Sequence, residues 1–166
     1  MIASSDCASG VKRYWQYHWS GDHPQAEWFD DMPSRNHRKA VARLGSPDLY
    51  VAGFPCPAFS SVGLHQGITV TKGQMIFKIL AFLRVALPRL VVLENVGGLQ
   101  SRHKQVLDWV LRKLRNLPGG YQVHHSVLDS AEHGVPHSRH RLWIVAIRND
   151  TAIFVFQNYF HYYYMH

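Results

Sequence analysis

Short apolar runs alternate with longer stretches of helical pattern along most of the chain. Ile2 to Ser4 reads as the end of a strand, and Gly10 to Trp19 as an aromatic-rich helix. Ala26 to Phe29 is a short strand ending at Asp30 and Asp31. Ser34 is placed to cap a basic helix that runs to about Leu44, where Gly45 and Pro47 stop it. Asp48 to Gly53 (DLYVAG) is a short apolar run of the kind buried in a sheet. The next stretch, FPCPAFSSVG, is dense in Pro, Ser and Gly and reads as a loop. Gln74 to Leu87 is helical, apolar on nearly every side and stopped by Pro88, so it belongs in a core. Leu90 to Glu94 (LVVLE) is a second buried strand, and Gly97 and Gly98 turn the chain after it. Ser101 to Leu117 is amphipathic, with Val106, Val110, Leu114 and Leu117 on one side, and Asn116 with Pro118-Gly119-Gly120 ends it. Tyr121 to Leu128 and Leu142 to Ile147 are two further strands.

Strand, helix, strand, helix, strand is the pattern of a parallel α/β sheet with right-handed crossovers. Ligands of such sheets sit beyond the C-terminal ends of the strands. Cys56 follows one strand end and Glu94 closes another, so the topology brings a thiol and a carboxyl to one edge. The segment from Asn149-Asp150 onward is different in kind. After Asp150 it has no Asp, Glu, Lys or Arg and is crowded with Phe and Tyr. The expected division is therefore one domain over residues 1–149 and an aromatic tail over 150–166.

Composition narrows the class. Among 166 residues, 46% are apolar and 17% charged, which is globular rather than disordered. The formal net charge of +7 fits a polyanionic partner, and equally an ordinary basic protein. Two cysteines, Cys7 and Cys56, exclude a disulfide framework and a four-cysteine zinc site. Of the twelve histidines, His133, His137 and His140 share a Gly/Pro segment with Glu132 but no thiol, so no metal site is expected. The start, MIASSDCASG, has no signal-peptide pattern. Met75 to Leu87 falls short of the roughly 20 residues that span a bilayer, and no membrane role is expected.

Three groups of residues carry candidate chemistry. Cys56 lies between Pro55 and Pro57, which hold the neighbouring backbone extended and present the thiol in one place. A lone Cys is more often a small buried hydrophobe, and acting as a thiolate needs cationic neighbours. Glu94 ends an otherwise apolar strand, where a carboxylate is costly unless paired or used; a strand-end salt bridge is the plainer role. Arg139 and Arg141 alternate as they enter a strand, so both are expected on one face, able to hold an anionic or carbonyl group. A solvated basic edge is the commoner meaning of an isolated RHR.

Taken in order, Phe54-Pro55-Cys56 with Phe59-Ser60, then Glu94-Asn95-Val96, then Gly134-Val135-Pro136 before Arg139-x-Arg141, resemble the cytosine-C5 DNA methyltransferase family. The likeness runs from about Asp6 to Ile147. It implies a Rossmann-like α/β sheet with flanking helices that uses S-adenosyl-L-methionine. It also implies transfer of a methyl group to carbon 5 of a DNA cytosine flipped from its duplex. Cys56 is then the thiolate that adds to carbon 6, and Glu94 the group on the N3/N4 edge. Arg141 matches the arginine near the cytosine O2, and Arg139 one that orders the site. Ser60 and Asn95 match positions supporting the catalytic loop. Asp6 matches the ribose-binding acid, Cys7 a residue against adenine, Asp31 with Met32 the acid near the adenine amino group, and Pro55 and Met75 the methionine side of the pocket.

The sequence departs from the family pattern in places. The Phe-x-Gly-x-Gly loop that follows the family's first strand is absent, as are the target-recognition region and final helix after Ile147. Pro57 and His137 each stand where the family usually has Gln. The sheet is therefore expected to lack its first strand, leaving a gap beside Asp48–Gly53. The chain is expected to be a fragment that binds cofactor weakly and methylates poorly or not at all. Two alternatives remain: the tRNA-acting branch of the family, disfavoured by Ser60 and the lack of a third Cys, and a catalytically inactive nucleic-acid-binding module. The compartment follows the substrate: a nucleus in a eukaryote, otherwise the cytoplasm and nucleoid. No motif sets an oligomeric state.

Overall fold

The computed structural model describes residues 3–5, 9–18, 21, 27–29, 36–54 and 75–151. Strands β1 (Ala3–Ser5) and β2 (Glu27–Phe29) pair in parallel, with helix α1 (Ser9–His18) between them in sequence. Helix α2 (His37–Leu44) then leads to a four-stranded sheet built from β3 (Leu49–Gly53), β4 (Leu90–Val96), β5 (Tyr121–Asp129) and β6 (His140–Arg148). Helix α3 (Met75–Ala86) connects β3 to β4, and α4 (Gly98–Arg102) with α5 (Lys104–Arg115) connects β4 to β5.

The sheet order is β3-β4-β6-β5, and it is mixed rather than parallel. Only β3 and β4 run parallel in it; β6 lies antiparallel to both β4 and β5. The cause is the link Ser130–Arg139, which holds a single 3-10 turn, Ser130–His133. A parallel crossover needs a dozen residues or more, so the chain reverses and inserts its last strand beside β4. Among the described residues β3 is an edge strand with Leu49 and Val51 exposed.

One face of the sheet makes the core. Tyr50 and Ala52 of β3, Val91 and Leu93 of β4, and Leu142, Ile144 and Ala146 of β6 pack with Ile79, Leu83, Val110 and Leu114 of the helices. These residues alternate along each strand, as side chains on one face must. Most of α3 is buried, as its near-uniform apolarity requires, although Phe77 stays at the surface against Trp109.

Three local expectations are corrected. The cap of α2 is Asn36, whose side-chain oxygen accepts from the Lys39 N–H at 3.0 Å; Ser34 lies outside the described residues. The amphipathic stretch after β4 is two helices, broken at His103, whose φ of −130° is not helical. Gly98 belongs to the first of them because wholly buried Leu99 draws that turn into the core. Finally, β4, β5 and β6 run further than their apolar runs, because ladder pairing continues to Val96↔Arg141 and Asp129↔His140.

Candidate active site

The parallel pair β3–β4 sets the site. Gly53 is opposite Glu94 at the C-terminal ends of both strands. A Cβ on Gly53 would come within 3.1 Å of Glu94 Oε2, so the glycine makes room for the carboxylate. The chain leaving β3 is then fastened to β4. The Phe54 N–H donates to the Glu94 carbonyl at 3.3 Å, and Asn95 Nδ2 donates to the Phe54 carbonyl at 3.0 Å. Asn95 Oδ1 in turn accepts from the Val96 N–H at 2.8 Å. Asn95 is 2% exposed and is the buried polar residue among the described core positions. Both ends of its amide are used, as a buried polar group requires. Phe54 itself is buried in the core cluster, so the residue before Pro55 is anchored by packing and by hydrogen bonds.

Strand β6 delivers the cation. Its register puts Arg141 opposite Val96, on the same face as Glu94. Arg141 Nε lies 2.8 Å from Glu94 Oε1, and the two side chains are 22% and 31% exposed. Arg141 Nη1 donates to the His140 carbonyl at 2.9 Å. The result is a half-buried, charge-assisted pair at the strand ends.

Arg139 does not share that face as a strand residue. It precedes β6 and is exposed, and its main-chain N–H donates to Asp129 Oδ1 at 2.7 Å. Asp129 was invisible to sequence reasoning as a site residue. An Asp ending a strand before a turn reads as an ordinary cap, and it does accept from the Ala131 N–H. It also accepts from Ser138 Oγ at 2.7 Å, and this hydrogen bond, ahead of those from the Arg139 and Ala131 amides, holds its carboxyl below the usual range. Gly134 in Gly-Val-Pro has φ +81°, the left-handed backbone that ends the 3-10 turn, which accounts for a glycine there.

Met75 is the first residue of α3 and packs against the core; no described contact joins it to Glu94 or Arg141. Asp6, Cys7, Asp31, Met32, Pro55, Cys56 and Ser60 lie outside the described residues. Among those described, no group of three or more His, Cys, Asp or Glu could hold a metal ion. No helix among them is long and apolar enough to cross a membrane.

Comparison with solved structures shows that this fold is shared with known methyltransferases. The crystal structure of the S. pombe Dnmt2 methyltransferase matches with a TM-score of 0.69 at 20% identity, over 98% of this chain and 47% of that one. The Spodoptera frugiperda DNMT2 mutant structure matches with a TM-score of 0.68 at 18% identity, over 92% and 44%. Among sequence relatives, Type II methyltransferase M.NlaX of Neisseria lactamica is 35% identical over 117 residues, 70% of this chain and 37% of its own. Type II methyltransferase M.HhaI of Haemophilus parahaemolyticus is 34% identical over 111 residues, 66% and 33%. The family model for C-5 cytosine-specific DNA methylase matches residues 4–164, and this chain belongs to that family. It spans about a third of the length of these sequence relatives.

Proposed function

We propose that the chain carries the catalytic centre of a DNA cytosine-C5 methyltransferase acting through a covalent adduct on Cys56. The observation that carries this reading is the Glu94–Arg141 pair at 2.8 Å, set beside a Phe54 that Asn95 holds in place. Two peptide units separate Phe54 from Cys56, so their Cα atoms can be at most about 7.6 Å apart. The thiol is thereby tethered to the edge that bears the carboxylate.

The chemistry follows from what cytosine lacks. Carbon 5 is a poor nucleophile until a thiolate bonds to carbon 6 and pushes the ring electrons toward carbon 5. Cys56 is that thiolate. Glu94 holds the N3/N4 edge and favours the electron-rich ring, and Arg141, fixed by Glu94, faces the O2 side with Arg139 ordering the approach. Once carbon 5 carries the methyl group, its proton leaves to a base, water, and the electrons of that C–H bond re-form the ring double bond. The carbon 6–sulfur bond breaks and Cys56 is released. The ring must leave the duplex for this, so the substrate is a flipped cytosine.

The cofactor read from the family is S-adenosyl-L-methionine, which supplies an electrophilic methyl group. The fit rests on β1 and β2. Their parallel register sets Ser5 beside Phe29, so the chain continues from neighbouring strand ends into Asp6-Cys7 and Asp30-Asp31-Met32. Two carboxylates suit ribose hydroxyls and an adenine amino group, with Cys7 and Met32 as apolar neighbours. Pro55 and Met75 are assigned to the methionine side. The glycine-rich loop is not in these 166 residues, so methyl transfer by this stretch alone is expected to be slow. The catalytic domain is assigned to 1–149. The Thr151 N–H closes a turn onto the Arg148 carbonyl there, and 150–166 is assigned no role in the site. The bacterial sequence relatives support a cytoplasmic, nucleoid setting over a nuclear one.

Incubation with cofactor and DNA containing 5-fluorocytosine tests the reading, because the fluorine cannot leave as a proton does and the adduct persists. Wild-type chain is expected to form a covalent complex that Cys56→Ser abolishes. Salt-sensitive DNA binding without an adduct refutes the enzyme and leaves a binding module.

A further inference from the structure

We infer that Asp129 is a positioning residue that sets the Glu94–Arg141 pair through the main chain of Arg139 and His140. The inference rests on the reading of that pair as the substrate-binding centre. Asp129 is the last residue of β5 and faces His140 across the ladder, so the link Ser130–Arg139 leaves and returns at its side chain. The main-chain bond across this neck, from the Ser130 N–H to the Arg139 carbonyl, is long at 3.4 Å. The carboxylate makes the tighter closure. Its Oδ1 accepts from the Arg139 N–H at 2.7 Å and the Ala131 N–H at 3.2 Å, its Oδ2 from Ser138 Oγ at 2.7 Å, and His140 Nε2 stands 3.6 Å from Oδ2. The three hydrogen-bond partners, the Ala131 and Arg139 amides and the Ser138 hydroxyl, all donate, which suits an ionised acceptor.

From there the route to the site is continuous. Arg139 and His140 share the peptide bond that starts β6. The His140 carbonyl accepts from Arg141 Nη1 at 2.9 Å, which orients the guanidinium and leaves Nε for Glu94 at 2.8 Å. A cap for the 3-10 turn alone would need only the Ala131 bond. The bonds to Ser138 and Arg139 reach the other end of the link and fix where β6 begins.

Hydrogen exchange in the full 166-residue chain tests this, read by NMR at the Arg139 amide and at Arg141 Nε–H. Leu93 and Ile144 amides report on the core. Asp129→Ala is expected to speed exchange at both arginine sites by about tenfold or more, the low end for losing bonds to a charged acceptor, with the core amides unmoved. Asp129→Asn keeps an oxygen for Ala131 and Arg139 and is expected to return both sites to within about threefold of wild type. An unchanged Arg141 Nε–H rate in Asp129→Ala overturns the inference, as does an Asn variant as exposed as the Ala one. Should Asp129→Ala unfold, Asp129→Ser, which removes the carboxylate from both ends of the link, gives the same decision: faster exchange at Arg141 supports the inference and none overturns it. Adduct formation is scored separately, so a wild-type chain without an adduct refutes the proposed function while the exchange data decide the role of Asp129.

Discussion

Replacing Asn95 by Ala removes both hydrogen bonds that fasten the end of β3 to the end of β4. The two ends do not cost the same. Phe54 is buried, so its carbonyl loses its partner with little water to replace it, at about 1–3 kcal/mol. Val96 is exposed, so water takes over its N–H and the loss is about 0.5–1 kcal/mol. Together about 1.5–4 kcal/mol is lost, a large part of the roughly 5–15 kcal/mol a domain possesses. Urea unfolding followed by tryptophan fluorescence is expected to show a midpoint lowered by about 1–2 M with an unchanged slope. Asn95→Asp keeps the acceptor for Val96 but turns a carboxylate oxygen toward the Phe54 carbonyl, so at neutral pH it is expected to be no more stable than Asn95→Ala. A midpoint within about 0.2 M of wild type for either variant refutes the reasoning, since that is near the precision of such fits.

Other outcomes follow from the same geometry. Glu94→Gln is expected to cost about 1 kcal/mol or less in stability, because the pair with Arg141 is partly solvated. Yet it is expected to slow adduct formation by about a hundredfold or more, as losing a preorganised electrostatic contact does; equal trapping rates contradict the assignment. Gly53→Ala pushes a methyl group against Glu94 Oε2, so trapping is expected to slow by about tenfold, against a stability change within about 1 kcal/mol. Tyr121 donates to the Pro88 carbonyl at 2.6 Å, and burial raises its pKa above the ordinary 10.0. Its stabilisation is therefore full below pH 10.0 and fades as pH rises through the folded value, and Tyr121→Phe is expected to lose that alkaline dependence in pH-resolved urea titrations. The carboxyls of Asp129 and Asp150 have the opposite sign. Held low by Ser138 and Arg148 respectively, they stabilise above the ordinary 3.8 and lose that effect as pH falls through their folded values. Asp129→Asn with Asp150→Asn is expected to flatten the acid limb.

Most elements were legible because each is an apolar run or a 3.6-residue pattern, and their ends moved by two residues or so. Strand direction was not. LWIVAI is a buried strand whichever way it runs, and its insertion beside β4 follows from the shortness of Ser130–Arg139, a fact of chain reach. The helix break at His103 was hidden for a similar reason, since the amphipathic pattern continues through it and only Leu99 shows why the first turn is pulled inward. In the site, Glu94 stood out as a carboxylate ending an apolar strand and Arg141 as one of two alternating arginines, while Asn95 entered only through the family resemblance; the structure joins Glu94 to Arg141 and Asn95 to Phe54. Arg139 was read as a strand residue, and it lies one residue before the start of β6. Gly53 and Asp129 gave no signal of their own: a glycine ending a strand and an aspartate starting a turn are both commonplace, and only the carboxylate above one and the arginine amide beside the other give them a task.

The most direct test is to digest the complex trapped on fluorinated DNA and locate the modified peptide by mass spectrometry. The chain has two thiols, which makes the answer binary. The account predicts a nucleotide bonded to Cys56, formed far more slowly in Glu94→Gln and Arg141→Ala chains that fold as wild type does. A nucleotide on Cys7, or a Cys56 adduct indifferent to both substitutions, contradicts it.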